Sequence, residues 1–175
     1  MDVYNNVPSV GHAHPRVARA VASATARLAT NTRYLHDGIL AYARELTALL
    51  PASLSVCYFV TSGSEANELA LRLARAVTRR RDIIVLGHAY HGHTGGLVDI
   101  SPYKFNGPGG EGAPTHTHVV ECPDLFRGPR RRGDDGAGTA YAAAGVGALL
   151  AAGLRPAAFI AESVPSVAGQ VRELF

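Results

Sequence analysis

An apolar run, Ser55-Val-Cys-Tyr-Phe-Val60, stops abruptly at Thr61-Ser62-Gly63-Ser64 and gives way at once to a helical pattern. β-Branched and aromatic residues suit a strand, and Ser62-x-x-Glu65 has the form of a capping box that opens a helix. A strand that runs through a Gly/Ser turn into a helix aims backbone N–H groups and hydroxyls at one spot. That spot is the positive end of the helix dipole, a seat suited to phosphate. Plain N-capping by Ser62, with no ligand, accounts for the same residues equally well. A Walker loop is excluded, because no Gly-Lys-Ser/Thr follows.

The rest of the chain repeats this alternation. Pro15 to Ala29 reads as a helix, with Pro15 at its first position and Val17, Ala20, Val21, Ala24 and Leu28 at helical spacing. After the polar stretch Thr30 to His36, Asp37 is an N-cap for a second helix striped by Leu40, Ala43, Leu46 and Leu50 and ended by Pro51. Strands are predicted over Ser55 to Val60, Asp82 to Gly87, His118 to Glu121 and Ala157 to Ala161. Helices are predicted from Gly63 to Arg79 and from Thr139 to Gly153. Short apolar strands between helices predict an α/β fold with a mainly parallel sheet and flanking helices. Residues 1–36 form an N-terminal helix and connecting segment, and residues 37–175 belong to the sheet domain. Ligands of such sheets bind beyond the carboxyl ends of the strands. Three candidate sites fall there: Thr61 to Ser64, Gly87 to Gly92, and Glu162.

Charge excludes some functions. The net charge is +3, and much of the basic content lies in Arg79-Arg80-Arg81 and Arg130-Arg131-Arg132. The first cluster is accounted for by cations at a helix C-terminus, and neither is interleaved with aromatics, so no nucleic-acid partner is expected. No run of 18 apolar residues predicts a membrane span. Cys57 and Cys122 match no metal or redox spacing, and they read as reduced thiols of a cytoplasmic protein.

His88-Ala-Tyr-His-Gly-His93 follows a buried strand. Its residues allow three readings: a metal site at His88, His91 and His93, an aromatic platform at Tyr90 for a planar cofactor, or a plain structural loop. A metal-dependent hydrolase would use the three histidines, but no carboxylate or cysteine stands close in sequence. Glu162 closes a strand, where a carboxylate serves a site or an ion pair.

Taken in order, several segments carry a resemblance. They are Tyr4 to Pro15, Thr30 to His36, Phe59-Val-Thr-Ser-Gly-Ser-Glu-Ala-Asn67 and His88 to His93, joined by Leu54-Ser-Val-Cys-Tyr-Phe59, Ile100-Ser-Pro-Tyr-Lys-Phe105 and Ala161-Glu-Ser163. Together they resemble the class III aminotransferases, pyridoxal 5'-phosphate (PLP) enzymes of fold type I. Within them, the segments resemble the branch of alanine–glyoxylate aminotransferase 2-like proteins and ethanolamine-phosphate phospho-lyases. The resemblance implies that Ser62, Gly63 and Ser64 hold the cofactor phosphate. It implies that Tyr90 stacks on the pyridine ring, with His91 and Gly92 in the same loop, and that Glu162 is an active-site carboxylate. No metal is implied. Glu162-Ser-Val-Pro-Ser166 departs from the family pattern, and Pro165 removes a polar residue beside the carboxylate.

The resemblance further implies transamination between a small amino donor and a carbonyl acceptor, in a homodimer when full length. β-Elimination from a phosphorylated amino alcohol is the alternative. In family order, the cofactor-bearing lysine and the aspartate that pairs with the pyridine nitrogen lie beyond Phe175. The chain therefore reads as an incomplete cofactor-binding large domain, and a non-catalytic fragment or interaction module is the rival description. Its one lysine, Lys104, belongs to the Ser-Pro-Tyr-Lys-Phe segment and does not match the family lysine.

Overall fold

The structure is a computed structural model that describes residues 8–31 and 33–167. Tyr4 to Val7, Thr32 and the tail after Val167 lie outside the described residues. The chain divides into two compact units between Cys57 and Tyr58.

The first unit carries α1 (Pro15–Arg27) and α2 (Asp37–Ala48). Pro15 opens α1 as expected. At α2 the cap is His36, not Asp37: its Nδ1 accepts from the Gly38 N–H at 3.0 Å. Asp37 is instead the first helical residue, where its charge still favours the dipole.

The second unit is built on three parallel strands. Helix α3 (Gly63–Thr78) leads to β1 (Ile83–Leu86). Two single turns, α4 (Gly95–Val98) and α5 (Pro102–Phe105), precede β2 (Thr117–Val120). A continuous helical run follows as α6 (Ala137–Ala142), a π-helical turn (Ala143–Gly147) and α7 (Ala148–Ala151). The chain then enters β3 (Ala158–Ile160). The order is β2-β1-β3, with Ile83 opposite Thr117 on one side and opposite Ala158 on the other. Central β1 is buried along its whole length, as its uninterrupted Ile-Ile-Val-Leu sequence predicts. Its side chains alternate. Ile83 and Val85 pack with Leu71, Leu97 and Ile100. Ile84 and Leu86 pack with Ala89 and Val120, and Val146 and Leu149 of the helical run lie against them. Helices thus cover both faces and leave the carboxyl ends of the strands for a site.

The strand predicted over Ser55 to Val60 does not form. Strand propensity reports how side chains suit a pleated, half-buried surface, and a strand also needs a partner to take its backbone bonds. Among the described residues no strand pairs with this segment, and Val56 and Tyr58 remain 74% and 66% exposed.

Among the described residues strand β3 has a neighbour on one side only, and Phe159 on it is half exposed. An open strand edge beside exposed apolar side chains favours association. The chain is therefore expected to self-associate with rising concentration in sedimentation velocity, and Phe159→Lys is expected to reduce it. A monodisperse monomer with a sharp cooperative melt would contradict this.

Candidate functional site

The first wall of the site is the start of α3. Ser62 sits at the N-cap in extended conformation, and its Oγ accepts from the Glu65 N–H at 3.1 Å. That leaves the Ser62 hydroxyl proton free to donate elsewhere. The capping box closes differently from its usual form. The Glu65 carboxylate reaches past Ser62 and accepts from the Thr61 hydroxyl at 2.7 Å and the Thr61 N–H at 2.8 Å. These two bonds, the hydroxyl's first, hold Glu65 below the ordinary carboxylate range. Gly63 and Ser64 occupy the first helical positions, so their N–H groups lie outside the helical ladder. A Cβ at Gly63 would meet no atom within 4 Å, so the space above it is open.

The second wall is the loop after β1, which is stitched to α3 and α5. The His91 N–H donates to Ser101 Oγ at 2.9 Å, and that buried hydroxyl donates onward to the Leu97 carbonyl at 2.6 Å. The His91 carbonyl accepts from Asn67 Nδ2 at 2.8 Å. Both sides of this residue's backbone are therefore held. Gly92 has φ +140, and a Cβ there would collide with Leu97 and the Ser64 hydroxyl, so only glycine lets the loop pass this close to α3.

The third wall is Glu162, just after β3. Its carboxylate accepts from the Ser166 N–H at 3.2 Å and the Ser166 hydroxyl at 3.4 Å. Ser166 thus supplies local hydrogen bonds across Pro165.

Ser62, Gly63, Ser64, Tyr90, His91, Gly92 and Glu162 all line one cavity of about 460 Å³ at the carboxyl ends of β1 and β3. Asn67 lines it too and was missed by sequence reasoning. The signal was available, because Asn67 stands three residues after Ser64 and so shares its helix face. Ser101 carried no such signal. The three loop histidines do not act together: His88 and His93 are exposed, while His91 is 6% exposed. Among the described residues no three His, Cys, Asp or Glu side chains gather as a metal site. None of the helices there is long and apolar enough to cross a membrane.

His91 is the most unusual group in the cavity wall. Its Nε2 is buried and has no hydrogen-bond partner among the described residues. Burial pushes its pKa below the usual 6.5, and the nearby Glu162 charge opposes that in part. Burial therefore favours the neutral ring in the folded chain over the charged one. Between pH 6.5 and the depressed folded value, the unfolded chain binds a proton that the folded chain does not. Stability should be complete above this window and fall as pH is lowered through it. Urea midpoints measured from about pH 8 to about pH 5 should show the fall, and His91→Gln should flatten it. An equal slope in both proteins would remove His91 as the cause.

Comparison with known proteins places the chain in a family. Residues 1–173 match the family model described as aminotransferase class-III. The chain is 49% identical over 183 residues to an alanine–glyoxylate aminotransferase 2-like protein of Drosophila melanogaster, covering 98% of this chain and 36% of that protein. It is 42% identical over 135 residues to ethanolamine-phosphate phospho-lyase homolog 1 of Caenorhabditis elegans, covering 77% of this chain and 29% of the relative. A solved phospholyase from Arthrobacter, in complex with phosphoethanolamine, superposes with a TM-score of 0.72 at 32% identity. That match covers 87% of this chain and 34% of the other. The chain thus spans about a third of the length of the curated relatives it matches. With the family model matched over nearly every residue, the chain belongs to the class III aminotransferase family.

Proposed function

We propose that this chain supplies the phosphate seat and ring platform of a pyridoxal 5'-phosphate site in an aminotransferase. The enzyme would move an amino group from an amino acid or ω-amine to a keto acid or aldehyde. The observation that carries the reading is the convergence on one cavity of the α3 start, the Tyr90–Gly92 loop and Glu162. The orphaned His91 Nε2 in that wall fits a polar ligand, because a buried polar atom without a partner is costly.

When bound, the cofactor supplies an electron sink for the carbanion formed beside the amine nitrogen. The residues of this chain bind and orient it. The Gly63 and Ser64 N–H groups, with the Ser62 and Ser64 hydroxyls, would hold the phosphate dianion at the positive end of α3. Tyr90 offers a ring face to the pyridine. Asn67 and Ser101 fix the His91 backbone, so that Tyr90 on one side and Gly92 on the other keep their places. Glu162 brings a carboxylate into the same cavity.

The complete gene product would work on small molecules as a cytoplasmic homodimer, with no nucleic-acid or membrane partner. A second reading is elimination of phosphate from a phosphorylated amino alcohol, favoured by the likeness to the Arthrobacter phospholyase. Assays of the complete gene product would separate the two. Amine-dependent consumption of a keto acid supports transamination. Release of inorganic phosphate from phosphoethanolamine without any acceptor would replace it with the lyase. Neither activity in a folded, cofactor-loaded protein would reject both.

A further inference from the structure

Lys104 is the one lysine of the chain, and it stands beside the platform residue without lining the cavity. Its position is set by α5. That turn starts at Ser101, whose hydroxyl takes the His91 N–H, and the Tyr103 N–H donates to the Ala89 carbonyl at 3.1 Å. Residues 101–103 are thus bonded to the backbone on both sides of Tyr90. The Lys104 ammonium then lies 5.6 Å from the Tyr90 ring centroid and 5.4 Å from that of Tyr103. The two rings meet edge to face, with centroids 6.0 Å apart at 77°. Among the described residues no carboxylate pairs with Lys104.

We propose that Lys104 is a positioning residue for Tyr90, its ammonium and the Tyr103 ring together holding the Tyr90 ring in the orientation it presents to the cavity. A cation within about 6 Å of a ring centroid is attracted to the negative face of the ring. The terminal torsion of a tyrosine is broad, so a half-buried ring needs such contacts to keep one plane. The inference deepens the proposed function and rests on Tyr90 as the ring platform.

The test uses the whole 175-residue chain, with Lys104→Met to remove the charge at similar length and Lys104→Arg to keep it. Lys104 is exposed, so neither change threatens the fold. A chain with one lysine gives one lysine Cε–H signal in a carbon–proton NMR spectrum. Ring currents should displace that signal, and Tyr90→Leu should move it toward the free-lysine position. Lys104→Met should change the Tyr90 ring signals, and Lys104→Arg should restore them. An undisplaced lysine signal, or Tyr90 signals indifferent to Lys104→Met, would overturn the proposal.

Equilibrium binding of pyridoxal 5'-phosphate is the second readout. Lys104→Met should weaken it about two- to five-fold, and Lys104→Arg should restore it. Rescue by arginine also separates this role from covalent capture of the aldehyde, because a guanidinium forms no imine there. Should the unaltered chain bind no pyridoxal 5'-phosphate, the cofactor reading fails, and the ring signals alone still decide the role of Lys104.

Discussion

Purified as 175 residues, the chain should show no transaminase or phospho-lyase turnover, however much pyridoxal 5'-phosphate is supplied. The chemistry needs an amine that holds the cofactor and then moves the Cα proton of the substrate. Lys104 is the only lysine available. It is outside the cavity lining, and its ammonium faces two tyrosine rings. The proposed phosphate seat, platform and carboxylate would bind and orient the cofactor and leave that proton transfer to the amine. The expected rate is therefore that of free cofactor in buffer, a loss of several orders of magnitude against a complete enzyme. Steady-state assays with amine donors, keto acids and phosphoethanolamine would measure it. Turnover that co-purifies with the chain would contradict the expectation in either of two ways. If it persists in Lys104→Ala, another group does the work. If it vanishes there, Lys104 is itself the catalytic amine. Cofactor binding without turnover would leave a binding module as the better description of these residues.

The residues that gave the site away in the sequence were those whose local chemistry is self-contained. Ser62, Gly63 and Ser64 announce a helix start by type and order, and the Ile-Ile-Val-Leu run of β1 announces a buried parallel strand. Glu162 and the Tyr90 loop could be placed because strand ends in a parallel sheet share one edge. What remained illegible depends on distant partners. Ser55 to Val60 has strand composition, but its pairing is decided by whatever edge it meets, and the described residues offer none. The Ser101 bond to His91 joins residues ten apart across the single-turn helix α4, at the start of a second such turn, and no periodicity reveals either. Glu65 bonds Thr61 instead of Ser62, a choice of acceptor geometry that the capping-box spacing cannot specify.

Pyridoxal 5'-phosphate should bind the chain at least about tenfold more tightly than pyridoxal, because the two ligands differ only in the group that α3 would hold. Each hydrogen bond to a charged phosphate oxygen contributes roughly 1.5–3 kcal/mol, and the lower figure alone is about a factor of ten. The structure makes one substitution unusually clean. Because a Cβ at Gly63 meets no protein atom within 4 Å, Gly63→Val should leave the chain folded while filling the space where the phosphate would sit. It should abolish the preference for the phosphorylated ligand. Gly92→Ala is the wrong test, since its Cβ strikes Leu97 and the Ser64 hydroxyl and would damage the loop first. Ser64→Ala removes one donor and should cost about tenfold in affinity for the phosphate form alone. Tyr90→Ala should weaken both ligands by about two- to tenfold through lost stacking, leaving their ratio unchanged. The measurement is equilibrium binding of both ligands to the four proteins in a buffer free of phosphate, with thermal melts as the control for folding. Equal affinity of the unaltered chain for the two ligands would remove the phosphate seat. Binding that survives all three substitutions unchanged would place the cofactor away from this cavity, and with it the function proposed for the chain.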